Sequence, residues 1–321
     1  MKYIILILFV VTLILSTELA AGFQGPLRVK NSFPLVMSIG SPSLVSAECE
    51  NSVNLNLTYS STHLVDVSND WTVGIDLEAV LLDVQVKRLL GSSTEVSLEL
   101  PLISFNSGFL DGFLEEYHSA FGFSDYGRSD RPHNDFLFEV ARNGKTVVRG
   151  ESGEIAPGDL RVGIKQALHP KDPCVSVSAF LELPTGDPDR GYGNGAIDGG
   201  VALLINKSLG REFMAYLNAG VVFAEELRAE QDIELNNYLH GGVELEWLYS
   251  EGVSLNAQFV IQDSPFRDTG IRSLDSTSTI LSVGGKFKFN PKSALEVSFS
   301  EDTSTAGAPD FMVGVGYSYR F

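Results

Sequence analysis

The sequence is poor in cysteine, in basic residues and in long apolar runs. Two cysteines in 321 residues exclude a disulfide scaffold and a four-cysteine zinc site. Only 23 Lys and Arg stand against 41 Asp and Glu, a net charge of −18. That balance leaves no basic face for phosphate and argues against a nucleic-acid partner. Beyond the first segment, no stretch reaches the ~18 consecutive apolar residues of a spanning helix. No phosphate-cradling loop or dinucleotide fingerprint is present, so no cofactor is implied. Charged residues make up 20% of the chain and hydrophobic residues 44%, too apolar a balance for a disordered chain.

What is present begins with an address. Lys2 precedes an unbroken apolar run from Tyr3 to Leu15, and Ala20, Ala21 and Gly22 follow. Residues 1–21 therefore read as a secretory signal peptide, with an uncleaved anchor as the rival. Residues 22–50 are rich in Gly, Pro and Ser and lack periodicity. They either hang in the periplasm or tuck into a lumen as a plug.

From residue 51 onward the chain alternates with period two. Phe311, Val313, Val315, Tyr317, Tyr319 and Phe321 share one face, and Gly314, Gly316, Ser318 and Arg320 the other. Successive strand side chains point to opposite faces. The same pattern runs through residues 295–300, 281–289, 253–262, 242–249, 213–223, 197–206, 175–183, 160–168, 96–102, 73–86 and 53–59. Parity slips between Leu77 and Val80, which predicts a bulge near Glu78 and Ala79.

The connections sort into short ones (around Gly91, residues 169–173, Leu209, Glu251 and Pro291) and long polar ones (62–70, 104–157, 185–195, 224–237, 263–276, 301–310). Short periplasmic turns alternating with longer outside loops mark a transmembrane β-barrel. Segments of about 9–13 residues suffice to cross at ~45° tilt. The fold expected is all-β: an antiparallel up-and-down transmembrane barrel of about 12 strands over residues 51–321, with both termini periplasmic. The turn Asn143-Gly144 would raise the count to 14 if its two arms crossed; they are short, so a hairpin above the membrane is preferred. Residues 109–121 show helical spacing, with Leu110, Phe113, Leu114, Tyr117 and Phe121 on one side. This predicts a short helix in the long second loop, lying over or in the barrel mouth as a lid or plug.

Two resemblances attach to these residues. The C-terminal strand ending in Phe321 resembles the signature of bacterial outer-membrane barrels, which implies the barrel-assembly machinery as a partner. Gly158-Asp159-Leu160-Arg161-Val162-Gly163, Leu183-Pro184-Thr185-Gly186-Asp187 and Gly193-Asn194-Gly195-Ala196-Ile197-Asp198 resemble outer-membrane transporters linked to phenol meta-cleavage pathways. The stretches Asn31-Ser32-Phe33-Pro34-Leu35, Leu110-Asp111-Gly112-Phe113, His118-Ser119-Ala120-Phe121-Gly122-Phe123 and Gly127-Arg128, with Asn134, are similar to a bacterial domain-of-unknown-function family. That similarity implies an outer-membrane barrel without an established activity.

Candidate functional residues lie on the non-lipid face. Alternation places Asp76, Glu78, Glu95, Glu99, Glu182, Asp198, Glu212, Glu244, Glu246 and Glu296 inside, together with Arg161, Lys165, His240, Lys286, Lys288 and Arg320. A midplane Lys or Arg facing lipid would cost about 2–4 kcal/mol. Arg161 and Lys165 should be flanked by Glu95, Glu99 and Glu182, and Lys286 and Lys288 by Glu296. Such a wall either merely solvates the interior with ion pairs or lines an acidic passage. Asp111, Glu115 and His118 share a helix side at a spacing suited to a metal or an acid–His pair, or form its wet face. His240 with Glu244 is a second acid–base candidate. Cys49 and Cys174 both fall at the periplasmic rim, where a disulfide is expected.

The expected function is a passive channel or transporter for a small solute, not an enzyme. It would sit in the outer membrane of a Gram-negative bacterium, in contact with lipid and lipopolysaccharide. The alternatives are an outer-membrane enzyme acting on lipid or surface polymer, and a structural barrel without transport.

Overall fold

The structure, a computed structural model, describes residues 22–121, 131–304 and 306–321, with only the backbone described for residues 117–121. The expected signal peptide and the motif residues Phe123, Gly127 and Arg128 lie outside them.

Seventeen strands are described: β1 Ser52–Val67, β2 Trp71–Leu90, β3 Thr94–Asn106, β4 Leu137–Arg142, β5 Lys145–Arg149, β6 Ile155–Pro157, β7 Leu160–His169, β8 Cys174–Leu183, β9 Asp198–Ser208, β10 Phe213–Phe223, β11 Glu226–Arg228, β12 Asp232–Glu234, β13 Tyr238–Ser250, β14 Val253–Gln262, β15 Ser278–Asn290, β16 Ser293–Asp302 and β17 Phe311–Arg320. Twelve of them (β1–β3, β7–β10 and β13–β17) form one antiparallel wall in sequence order, and β17 closes it by pairing with β1. Closure removes the edge that would leave backbone groups unpaired in lipid. The hairpin β4–β5 extends the upper end of β2 and β6 that of β3; neither crosses, so the count is 12 rather than 14.

Outward positions carry the hydrocarbon. Leu57, Ile164, Leu203, Val243, Val283 and Val315 are each 40–50% exposed, a contiguous apolar surface that only a membrane or a partner would cover. Aromatic contacts at the end bearing the short turns (Phe213 with Trp247, Trp247 with Tyr249, Tyr319 with Phe321) form the girdle typical of a membrane boundary.

Two expectations are corrected in β2. Residues 62–70 are not a long loop, because β1 and β2 continue as a paired ribbon to Val67 and Thr72. No bulge interrupts β2: its register with β1 is continuous, and with β3 it runs unbroken from Leu90 to Glu78. The inward face instead changes chemistry. Trp71, Val73, Ile75, Leu77, Ala79 and Leu81 are buried apolar residues, and Asp83 follows them on the same face.

These inward apolar residues belong to a core filling the end of the tube that bears the long loops. It also takes Ile103 and Phe105 of β3, Phe138 and Val140 of β4, Tyr192, Val222, Leu227, Ile233 and Tyr238. Phe105 packs edge-on against Phe138 and stacks on Tyr192. Burial of each large side chain contributes about 1.5–3 kcal/mol. The centre of this core is supplied by neither wall nor loops. Leu35 and Val36 lie in a one-turn helix, α1 Pro34–Met37, and Phe33 and Ile39 beside it, in the segment that precedes the barrel.

The second helix, α2 Asp111–Phe121, does not lie in the mouth. Phe109 packs on Tyr59, and Phe113 on Phe311, which itself packs on Phe299. Tyr59, Phe299 and Phe311 share the outward parity of their strands, so α2 covers the outer wall of β1, β16 and β17. The expectation of a lid or plug at this helix is overturned. Its amphipathic spacing reports a buried side, but the burial is against the outside of the barrel. A short third helix, α3 Arg272–Asp275, sits in the loop after β14.

Candidate functional site

Residues 22–50 occupy the lumen as a hairpin, entering and leaving at the short-turn end. The ascending arm is held through its main chain. The N–H groups of Gln24 and Gly25 donate to Glu246 (2.8 and 3.2 Å), that of Leu27 to Glu244 (2.7 Å) and that of Arg28 to Glu296 (2.8 Å). Lys286 Nζ donates to the carbonyls of Gly25 and Pro26, both at 2.7 Å, and Lys288 Nζ to that of Gly22 at 2.5 Å. Asn56 Nδ2 donates to the Arg28 carbonyl at 3.0 Å.

At mid-lumen Lys30 Nζ lies 2.8 Å from Asp83 Oδ1 and also hydrogen-bonds Glu99. Burial alone would lower the Lys30 pKa; the Asp83 and Glu99 carboxylates reverse this and hold it above 10.5. The chain then turns through α1 and descends. The Ile39 carbonyl accepts from Tyr238 Oη (3.1 Å) and that of Ser41 from Arg161 (3.4 Å). Gly40 has φ +75°, and a Cβ there would meet Glu182 Oε2 at 2.2 Å, so only glycine fits. Asn218 grips Val45 at both ends, accepting from its N–H (2.7 Å) and donating to its carbonyl (3.0 Å). Ala47 N–H donates to Asn206, and the Ser46 and Glu48 carbonyls accept from Lys165. At the rim Glu50 N–H donates to Glu95, and the Glu50 carboxylate pairs with Arg320 at 2.6 Å. Between the two arms and the wall a cavity of about 300 Å³ reaches from Gly22, Glu50 and Arg320 at the rim to Lys30, Asp83 and Glu99.

The structure places the sequence-derived candidates as follows. Arg161 faces Glu99 and Glu182 across the ladder, and Lys165 faces Glu95. Their charged atoms lie 3.8, 3.5 and 3.1 Å apart. Lys286 opposes Glu296 at 3.0 Å. Asp198 is inward but high in the tube, where it accepts from Asn194 and the Glu225 N–H and braces loops. His240 faces the lumen opposite Gly220, where a Cβ would meet its ring at 2.4 Å. Its Nε2 has no partner among the described residues, and Glu244 is engaged by Leu27 and Asn256. The two do not form an acid–base pair.

Asp76 and Glu78 are corrected. Both project from the outer face of β2, above the lipid level. Asp76 pairs with His63 (3.2 Å) and Arg131 (2.7 Å). Glu78 accepts from Tyr59 and from the N–H groups of Phe109 and Leu110. A Cβ at Gly108 would meet Glu78 at 2.0 Å, so glycine lets the chain close over that carboxylate. On α2, Asp111 accepts the Asn134 N–H and Glu115 bonds His133 at 2.9 Å; the His118 side chain lies outside the described residues. No metal-ligand cluster occurs among the described residues. Cys49 and Cys174 carry free thiols. Cys49 Sγ turns to the Ser93 carbonyl at 3.6 Å and Cys174 packs with Ala47 and Leu204, so the expected disulfide is not formed in this structure.

Sequence reasoning missed Lys30 of the plug and Asp83, Asn56, Asn206 and Asn218 of the wall as groups that hold the plug. Asp83 carried the available signal, a lone acid between outward Leu82 and Val84. The asparagines read as ordinary inward polar residues. The Pro-Thr-Gly-Asp turn has a structural purpose: buried Asp159 accepts the N–H groups of Thr185, Gly186 and Asn194 at 2.7–3.0 Å. Burial pushes the Asp159 carboxyl above its ordinary pKa, against the pull of those three donors.

No curated protein matches the sequence. The fold is similar to that in the crystal structure of the COG4313 outer membrane channel from Pseudomonas putida F1, with TM-score 0.57 and 13% identity over 85% of this chain and 96% of that one. Weaker similarities are to the NanC porin (TM-score 0.49, 8% identity, 84% of this chain and 100% of that one) and the Pseudomonas putida toluene transporter TodX (TM-score 0.42, 12% identity, 95% and 96%). At these identities the likeness is one of fold, that of an outer-membrane β-barrel. A family model described as a protein of unknown function (DUF3187) matches residues 1–321, and the chain belongs to that family.

Proposed function

We propose that this protein is an outer-membrane channel for a small polar solute, held closed by its own residues 22–50. It reaches the outer membrane of a Gram-negative bacterium by way of the signal peptide at residues 1–21, and its Phe321 strand engages the assembly machinery. The outer apolar belt meets lipid, and α2 meets the lipopolysaccharide level. One observation carries the reading. The lumen wall is lined with charged side chains whose partners are the main-chain groups of a separable segment, an arrangement a passage needs and a solid core does not. Replacing all those polar groups with apolar residues would fill a permanently closed barrel more cheaply.

Planar-bilayer conductance tests it. The full chain should hold a closed baseline, with rare openings. A chain lacking residues 22–49, or one carrying Phe33→Ala and Ile39→Ala, should conduct with a preference for cations. A second reading, a structural barrel without transport, draws on the apolar core across the extracellular end. That reading wins if neither variant passes current while both remain folded in the membrane.

A further inference from the structure

At mid-height the wall presents three buried carboxylates, Asp83, Glu99 and Glu182, against one guanidinium, Arg161. Arg161 lies 3.8 Å from Glu99 and 3.5 Å from Glu182. Among the described ion pairs Asp83 has no wall cation; its partner is Lys30 alone, at 2.8 Å. A carboxylate taken out of water without a counterion costs several kcal/mol, so the wall is built to hold a cation here. The cation present is an alkylammonium on a flexible stem, brought by the plug. It closes the inner end of the 300 Å³ cavity that begins at the rim. A second observation points to a donor-bearing ligand on the same face. Asn54, only 2% exposed, is one of the residues lining this cavity, and its buried Oδ1 has no partner among the described residues. Its Nδ2 donates to Gln85, and Gln85 donates to Glu99 at 2.6 Å, so the orphan acceptor adjoins the carboxylate pair through one amide.

We propose that Asp83 and Glu99 form a lumenal binding site for primary alkylammonium groups, that Lys30 occupies it in the closed state, and that amine-bearing solutes take Lys30's place when the plug shifts. The site names the solute class of the channel proposed above and rests on that reading for its purpose, though not for its existence. Two carboxylate oxygens of different strands around one nitrogen suit a compact ammonium with several donors. A planar guanidinium prefers one carboxylate bidentately, and a quaternary ammonium offers no donor at all.

Chemical rescue in the full chain tests the site. Lys30→Ala leaves a void the size of n-propylammonium between Asp83, which loses its ion-pair partner, and Glu99, which keeps Arg161 and Gln85. Its thermal midpoint should fall. Millimolar n-propylammonium chloride should restore at least half of the loss, while n-propanol, sodium chloride and tetramethylammonium should not. The parent, its site filled by Lys30, should not respond. Lys30→Ala combined with Asp83→Asn and Glu99→Gln should also be insensitive. Should Lys30→Ala fail to refold unaided, refolding yield with each additive becomes the readout. Equal rescue by n-propanol, or none by the amine, overturns the proposal. Conductance is a separate axis. A barrel that never conducts but is rescued by the amine keeps the site and loses the channel; one that conducts without an amine response keeps the channel and loses the site.

Discussion

Above Leu81 and Ile103 the lumen holds Phe33, Leu35, Val36 and Ile39 among aromatic and branched wall residues. Below, the same tube holds Glu244, Glu246, Glu296, Lys286 and Lys165 around a peptide backbone, with a cavity beside it. The upper half is dry and packed; the lower half is wet and bonded by directional contacts. Hydrocarbon packing is tolerant of register and gains from every contact. The polar half fixes register instead, because N–H groups and carbonyls of the plug meet particular wall side chains, among them Glu244, Glu246, Lys286 and Asn218. The hydrophobic tip therefore supplies retention, and the charged arms supply placement.

The largest effect should come from breaking the dry half. Phe33→Ala and Ile39→Ala remove about 3–5 and 2–5 kcal/mol respectively. Amide exchange across residues 31–41 should rise to nearly solvent rates while the barrel strands stay protected. Unchanged exchange at the tip would contradict an apolar anchor. In the wet half, Lys286→Met strips donors from two plug carbonyls and weakens the support of Glu296, for a cost of about 3–5 kcal/mol. Exchange should increase at residues 24–28 and leave the tip protected; parallel loosening of both would merge the two halves into one cooperative unit. The smallest effect is at the rim. Burial would raise the Glu50 pKa, but Lys87 and Arg320 lower it from 4.5 to about 2. Its stabilising contribution is then fully present above about pH 4.5 and lost as pH falls through 2. With a quarter of the side chain exposed, screening leaves about 1–2 kcal/mol of it. Protection at residues 48–51, measured relative to the intrinsic exchange rate at each pH, should fall between pH 5 and 2 in the parent and stay flat in Glu50→Gln.

Period-two alternation made the wall readable where one face meets lipid and the other meets water. From it came the 12 strands, the Glu95–Lys165 and Lys286–Glu296 neighbours, and the hairpin at Asn143-Gly144. It misled where that premise fails. Above Leu81 both sides of β2 are covered, one by the inner core and the other by Phe109, Leu110 and Arg131. Apolar residues moved to the inward face, and Asp76 and Glu78 to the outward one. A parity slip in sequence was thus a change of surroundings, and no bulge was needed. The path of residues 22–50 was hidden for a different reason. Its bonds run from wall side chains to main-chain atoms, which every residue type possesses, so composition carried no trace of them. Side-chain requirements do occur at Lys30, Gly40, Glu50 and the apolar tip, but they are scattered without periodicity through a Gly/Pro/Ser-rich stretch.

Because both arms of the plug emerge at the same end, the segment is topologically unlinked from the barrel. No free terminus has to be threaded, so the cylinder can close first and receive its hairpin afterwards, tip leading. The reverse movement requires force directed toward the cell interior and must draw four greasy side chains past a collar of carboxylates and ammoniums. Such a stopper is easier to pull from the end at which its two arms emerge than to push aside from the opposite end.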